Sequence, residues 1–121
     1  MELTHPMKIY KICDARLWKD AEQAGTFHGA GIDIEDGYIH FSTAAQLPDT
    51  ARLHYHNRDG QVLITVDATL LDITWEPSRG GDMFPHLYSA LDLKHCIHVE
   101  ALFLGENKVP TPINGWPKYI K

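Results

Sequence analysis

The sequence lacks the motifs that mark several large classes of enzyme. No G-x-S-x-G, Walker or G-x-G-x-x-G motif occurs, which argues against the corresponding hydrolase, NTPase and Rossmann classes. Only two cysteines are present, Cys13 and Cys96, and neither belongs to a C-x-x-C pair. Because both lie in apolar, strand-like runs, we predict buried free thiols rather than a disulfide or a nucleophile.

Long apolar runs and an excess of basic charge are also missing. No stretch approaches the ~20 apolar residues of a membrane helix, and the N-terminal "MELTHPMKIYK" has no signal-peptide core, so a cytoplasmic protein without membrane contact is expected. The net charge of -5 argues against a broad nucleic-acid surface, although a small basic pocket remains compatible with it. The oligomeric state does not follow from the sequence.

What the sequence does contain is the composition of a folded domain. With 121 residues, 44% hydrophobic and 22% charged, and no repeat or linker, residues 1–121 are predicted to form a single domain. Helical patterns come early and strand patterns late, which favours an α+β fold over a doubly wound one.

Hydrophobic periodicity predicts where the elements lie. Alternation from Met7 to Cys13 predicts a first strand, followed by a helix over 15–24 with Asp14 as its N-cap and Gly25 at its end. A second helix is predicted from Ala44 to about Tyr55, with further strands over 38–41, 61–67, 73–77 and 95–104. Segment 26–36 is predicted to be a loop, 78–88 a loop ending in an extended segment, and 104–121 an irregular tail.

The first candidate site lies in "DGYIHFSTAAQ", residues 36–46. Side chains alternate along a strand, so Ile39 and Phe41 would face the core while Tyr38, His40 and Ser42 share the opposite face. Thr43 with Gln46 has the form of a capping box, and a helix N-terminus at this point favours anions. The alternative is a histidine hydrogen-bonded within the sheet, with Ser42 and Thr43 merely capping the helix.

The second candidate site lies in "WEPSRGGDMFPHLY", residues 75–88. Arg79 beside Gly80 and Gly81 would hold a cation on backbone that can approach a phosphate closely. His86 and Tyr88 share a strand face after Pro85. The alternative is a solvated connection, which the apolar residues of the segment make costly.

The remaining histidines carry a weaker metal hypothesis. His54 and His56 are two residues apart, and His95 and His98 are three apart, but neither pair has a matching carboxylate or cysteine set. A favourable contact with a helix dipole explains His54 and His56 more simply. We therefore predict no metal site.

Together, "YKICDARLWKDAEQAGTF", "DGYIHFSTAAQL" and "WEPSRGGDMFPHLYSAL" resemble the small bacterial domain-of-unknown-function family numbered 952, over about residues 9–103. That family is similar in fold to the ADP-ribosyltransferases, which grip NAD in a cleft between two small antiparallel sheets. The resemblance implies this fold here, with two main helices and a small-molecule ligand.

The resemblance also implies site residues, and all three depart from the His–Tyr–Glu triad of the poly-ADP-ribose type. "IYKIC" puts Lys11 where the histidine would stand, "DGYIHFSTAA" puts His40 at the tyrosine, and "FPHLY" puts His86 at the glutamate. A histidine supplies no negative charge for an oxocarbenium-like transition state, which puts ordinary transfer in doubt.

Two hypotheses follow for function. The first is an enzyme, or former enzyme, that binds a nucleotide- or NAD-like ligand, with His40 or His86 as acid or base, Arg79 as anion holder, and NAD as a substrate rather than a resident cofactor. The ligand-binding set then comprises Lys11, Tyr38, Ser42, Thr43, Arg79, Gly80, Gly81 and Tyr88. The second is a non-catalytic module that keeps the cleft for a small metabolite.

Overall fold

The computed structural model describes residues 7–118, with the side chain of Arg79 left out. The strands are β1 (Lys8–Asp14), β2 (Thr26–Phe27), β3 (Ile39–His40), β4 (Gln61–Asp67), β5 (Ile73–Ser78), β6 (Asp82–Leu87), β7 (Leu91–Asp92), β8 (Cys96–Leu104) and β9 (Pro110–Pro112). The helices are α1 (Ala15–Ala24), α2 (Ile32–Asp36) and α3 (Leu47–His54), and the predicted α+β class is confirmed.

The strands form three antiparallel sheets. The largest has the order β1-β4-β8-β9, a second has the order β3-β6-β5, and β2 pairs with β7. The first two sheets meet where Tyr10 and Ser42 exchange both backbone hydrogen bonds, each 2.8 Å long. This bridge fixes the edge of β1 beside the end of β3, and the candidate site residues lie around it.

Local sequence explains the helix ends. Asp14 caps α1 by accepting from the Arg16 N–H, and Gly25 ends it with a φ of 79°, as predicted. The Thr43–Gln46 capping box is also confirmed. It opens a 3-10 turn, Ala44–Gln46, and regular helix starts only at Leu47, next to Pro48. Proline lacks the backbone N–H and is tolerated only in such a first turn.

Two cores flank the largest sheet. One packs α1 and the second sheet against one face through residues such as Ile9, Trp18 and Phe41. The other packs α3 against the opposite face through residues such as Leu47 and Leu63. Both predicted core residues beside His40 are buried, since Ile39 and Phe41 are 1% and 2% exposed.

Three predicted segments differ from the structure. Segment 26–36 is not a loop but contains β2 and α2. The extended end predicted for 78–88 is present as β6, but the loop before it is only the short turn Arg79–Gly81 that joins β5 to β6. The tail over 104–121, of which 119–121 lie outside the described residues, is not wholly irregular, because β9 pairs with β8. These short elements are stabilised by pairing with distant strands, which local periodicity does not reveal.

None of the helices within 7–118 is long and apolar enough to cross a membrane. Cys13 is buried and Cys96 half-buried, and both are free thiols. Burial raises the pKa of Cys13 to about 12, which keeps it protonated and unreactive at neutral pH.

We expect Leu47→Ala to lower the free energy of unfolding by about 2–5 kcal/mol, because Leu47 is fully buried under the sheet. Leu53→Ala is the matched control on the same helix, since Leu53 is 50% exposed and should cost less than about 1 kcal/mol. Urea denaturation measures both. Equal losses would contradict the packing of α3 described above.

Candidate functional site

A cleft of about 840 Å³ opens between the first and second sheets. Five of the predicted site residues line it, namely Lys11, Tyr38, His40, Ser42 and His86. Thr43, Gly80, Gly81 and Tyr88 lie outside this lining, and the side chain of Arg79 lies outside the described part of the structure. The two segments singled out by sequence therefore converge on one cleft.

His40 and His86 are direct partners across β3 and β6. Their ring centroids are 5.2 Å apart, and the ring of Tyr38 lies 4.5 Å from His40 and 4.3 Å from His86. Tyr88 extends this group, with its ring 4.9 Å from that of Tyr38. The four rings form an aromatic cluster beside the cleft, and antiparallel pairing on one strand face is the reason they meet.

A buried carboxylate, Asp33, underlies the cluster. Its side chain accepts from Lys11 Nζ at 2.8 and 3.0 Å, from His40 Nδ1 at 2.6 Å, and from the backbone N–H groups of His40 and Ala30 at 3.1 and 2.9 Å. Burial raises the pKa of Asp33, but the hydrogen bond from His40 and the charge of Lys11 outweigh it and lower that pKa to about 2. Asp33 is therefore ionised at neutral pH.

Lys11 is committed to this network. Its ammonium donates to both oxygens of Asp33 and, at 2.9 Å, to the carbonyl of His40. Because an ammonium has three protons, these three acceptors use its full donor capacity. Lys11 thus links β1, α2 and β3.

His40 is held between two carboxylates of α2. Nδ1 contacts Asp33, and Nε2 lies 3.0 Å from Asp36 Oδ2. Carboxylate oxygens only accept hydrogen bonds, so both contacts are satisfied together when both ring nitrogens carry protons. The polar face predicted for His40 is present, and both of its ring nitrogens face protein groups.

His86 has a different environment. It is 4% exposed, and its Nδ1 lies 2.8 Å from Glu76 Oε1 on β5. Tyr88 donates to the same oxygen at 2.6 Å. The hydrogen bonds from Tyr88 and His86 lower the pKa of Glu76, and the bond to Glu76 raises the pKa of Tyr88 to about 12.

The side chains of Ser42 and Thr43 both form hydrogen bonds with neighbouring residues. The Ser42 hydroxyl lies 2.9 Å from Thr50 Oγ1, and Thr43 exchanges hydrogen bonds with Gln46. The capping box therefore uses backbone N–H groups of this helix start that sequence analysis had assigned to an anion.

Sequence analysis missed Asp33, Asp36 and Glu76. In the structure Asp33 lies against Gly29, whose φ is +115°, and a Cβ there would lie 2.7 Å from the Asp33 Cβ, so the close approach requires glycine. Glu76 follows from the hairpin register, which sets it opposite Phe84 and diagonal to His86. No group of three or more His, Cys, Asp or Glu side chains that could hold a metal occurs among residues 7–118.

We expect Lys11→Met to lower the free energy of unfolding by about 3–5 kcal/mol, because it leaves the Asp33 charge buried without its cation. Lys94→Met is the control, since Lys94 is exposed and lies 3.9 Å from the exposed Asp92, and it should cost about 0–1 kcal/mol. Chemical denaturation at neutral pH compares the two. A Lys11→Met protein as stable as wild type would refute the network.

Lowering the pH should reduce the free energy of unfolding, because the buried Asp33 carboxylate becomes protonated. Its folded pKa of about 2 lies below the usual 3.8, so the folded state binds fewer protons between these values and stability falls as pH drops through them. The loss should be about 2 kcal/mol. Asp33→Asn should remove this part of the pH dependence, and Asp20→Asn, on the exposed surface of α1, should leave it in place. Denaturation from pH 5 to pH 2 provides the measurement, and an unchanged slope in Asp33→Asn would contradict it.

The fold is shared with solved structures of protein CC0527 from Caulobacter crescentus. The crystal structure is 37% identical with a TM-score of 0.82, and the match covers 86% of this chain and 93% of that one. The solution NMR structure is 38% identical with a TM-score of 0.78, over 86% of this chain and 91% of that one. A comparison with curated proteins gave no significant match.

The family predicted from the three motifs is confirmed by a family model that matches residues 12–99. That range includes the aromatic cluster, Asp33 and Glu76. The chain belongs to the family described as "Protein of unknown function (DUF952)".

Proposed function

We propose that this chain binds a nucleotide- or NAD-like ligand in the cleft between its two larger sheets, on an architecture related to the ADP-ribosyltransferases. The observation that carries the proposal is the convergence of Tyr38, His40 and His86 in one cleft from two separate segments. Acid–base side chains and a stacking ring then lie together, as binding and chemistry on a nucleoside require.

The size and lining of the cleft suit a small organic ligand. Its volume of about 840 Å³ falls within the ~300–1,000 Å³ usual for such sites. Apolar side chains such as Ile12, Leu17 and Phe84 line it alongside the polar ones. A ligand with both a flat apolar part and several hydroxyl groups matches this mixture.

Tyr38 is the proposed stacking platform. Its ring already lies 4.3–4.9 Å from three other rings, those of His40, His86 and Tyr88. A purine or a nicotinamide ring can add to such a cluster through offset stacking, which contributes about 0.5–1.5 kcal/mol per pair.

The anion-holding role needs a cation, and two arginines are candidates. Arg58 lines the cleft, with its guanidinium 5.8 Å from the centre of the Tyr55 ring. Arg79, with Gly80 and Gly81, remains the second proposed phosphate clamp, at the β5–β6 turn. Lys11 is better assigned to orienting His40 than to holding a phosphate, because all three of its protons are donated within the protein.

The Glu76 carboxylate beside His86 places a negative charge at the proposed site. This chain has His86 where the transferase triad has a glutamate. A carboxylate is nevertheless close, because Glu76 Oε1 lies 2.8 Å from His86 Nδ1. A negative charge is thus present in the cluster, which supports an enzyme with a Lys11–His40–His86 variant of the triad. A non-catalytic binding module is the second candidate, and the internal pairing of Lys11 and His40 favours it.

Thermal unfolding with NAD and with ADP-ribose tests the proposal. A ligand at 100 times its dissociation constant should add about 2.7 kcal/mol to the free energy of unfolding. Tyr38→Leu should weaken the affinity about tenfold by removing the stacking platform. His98→Ala is the matched control, because His98 is an exposed histidine on β8 that does not line the cleft, and it should bind as wild type does.

The outcomes separate the two candidates. Binding with release of nicotinamide that is lost in His86→Ala indicates an enzyme, and binding without turnover indicates a module. No stabilisation by NAD or ADP-ribose, or equal weakening by Tyr38→Leu and His98→Ala, would contradict the nucleotide-like ligand.

A further inference from the structure

The structure distinguishes between the two histidines of the cleft. We infer that His86 is the proton acceptor of the site and that Glu76 is a positioning residue that sets the tautomer of the His86 ring. This inference rests on the proposed function, because it assigns the acid–base role within the same cleft. Neither Glu76 nor a difference between the histidines is evident from the sequence.

The contacts of His40 leave neither ring nitrogen free to accept a proton from a ligand. Its Nδ1 lies 2.6 Å from Asp33 Oδ1, its Nε2 lies 3.0 Å from Asp36 Oδ2, and its backbone N–H and carbonyl bind Asp33 and Lys11. A ring whose two nitrogens both donate to carboxylates has no lone pair for a substrate proton. His40 therefore holds α2 against β3 and lines the cleft beside His86.

His86 has one nitrogen engaged and one open. Nδ1 lies 2.8 Å from Glu76 Oε1, and Nε2 has no hydrogen-bond partner in the part of the chain that the structure describes, which leaves out the side chain of Arg79. A carboxylate accepts only, so the Nδ1 proton points to Glu76 and the lone pair is on Nε2. Because His86 lines the cleft, Nε2 is the ring nitrogen left for a bound ligand.

Glu76 is itself fixed by a second donor. Tyr88 donates to the same Oε1 at 2.6 Å, so the carboxylate oxygen receives two hydrogen bonds from one strand face. Tyr38 and His40 complete the surroundings of the His86 ring, with centroids at 4.3 and 5.2 Å. Glu76 is the only carboxylate among the described residues that hydrogen-bonds this ring.

The chemistry that this arrangement supports is general-base catalysis. Nε2 of His86 forms a new N–H bond with the proton of a ligand hydroxyl or of a water in the cleft, and the O–H bond breaks with its electron pair staying on oxygen. The ring becomes an imidazolium, whose positive charge the Glu76 carboxylate stabilises. Return of this proton from Nε2 to the same oxygen, or its loss to a water in the cleft, restores the neutral ring.

Histidine tautomers can be read directly by NMR on ¹⁵N-labelled protein without any ligand. At a pH where His86 is neutral, we expect the pyrrole-type nitrogen shift at Nδ1 and the pyridine-type shift at Nε2. Glu76→Ala should exchange this assignment in favour of Nε2–H, which is the readout that a merely structural Glu76 would not move. Glu76→Asp should restore part of the wild-type pattern.

Two control variants test whether the effect on the His86 tautomer is specific to Glu76. Tyr88→Phe removes only the second hydrogen bond to Glu76 and should leave the His86 tautomer unchanged, which separates Glu76 from its support. Asp36→Asn should alter the His40 signals and not those of His86. If Glu76→Ala does not fold, the wild-type tautomer decides by itself, because a proton on Nε2 would exclude donation from Nδ1 to Glu76.

A wild-type His86 with its proton on Nε2, or a tautomer unmoved by Glu76→Ala, would overturn the inference whatever the cleft binds. Failure of the proposed function has a different signature, namely the expected tautomer with no stabilisation by NAD or ADP-ribose. If ADP-ribose stabilises the protein and the His86 Nε2 signal does not shift on its addition, the assignment of His86 as proton acceptor is also overturned.

Discussion

The buried carboxylate of Asp33 is the constraint on which the rest of the site depends. It is 2% exposed and receives hydrogen bonds from β1, from β3 and from the loop before α2, so it joins the distant β1 to its own segment and to β3. A buried ion pair adds little net stability compared with an apolar pair of the same shape, but breaking it is costly. Its role is thus to specify geometry, including the close approach of Gly29 and the orientation of His40.

The residues around Asp33 form two layers of the cleft, an inner and an outer one. The inner layer is rigid, because Lys11, Asp33 and His40 saturate one another's hydrogen-bonding groups. The outer layer is the aromatic cluster, in which Tyr38 lies against both histidines. The two adjacent histidines differ in their carboxylate partners: His40 contacts two, and His86 contacts one within the described part of the chain. In the proposed site, the inner layer would hold the cleft in shape and His86 would be the acid–base group.

Much of the scaffold follows from the sequence, and the site follows only in part. Strong periodicity and caps predicted β1, α1, β4 and β8, and strand alternation predicted that His40 faces away from Ile39 and Phe41. The family motifs placed His40 and His86 in one cleft, where they are cross-strand partners. These features are local, or depend on motifs that span a few residues.

The remaining features depend on long-range pairing. Asp33 lies in a glycine-rich segment without periodicity, and its burial is decided by Lys11, 22 residues away. Glu76 reaches His86 only through the register of the β5–β6 hairpin, and the sequence predicted a strand over 73–77 but neither its pairing with β6 nor that register. A carboxylate in a loop-like or extended segment is ordinarily solvated, so its role becomes visible only once the strands are paired.

The central claim is that the cleft between the two sheets is a ligand site. Mapping amide chemical shifts of ¹⁵N-labelled protein during titration with ADP-ribose tests it most directly. We expect saturable amide shifts at Tyr38, His40 and His86. We expect none at Ile97 and Phe103, which lie on the exposed face of β8. Shifts centred on that β8 face, or no saturable shifts at the cleft, would contradict it.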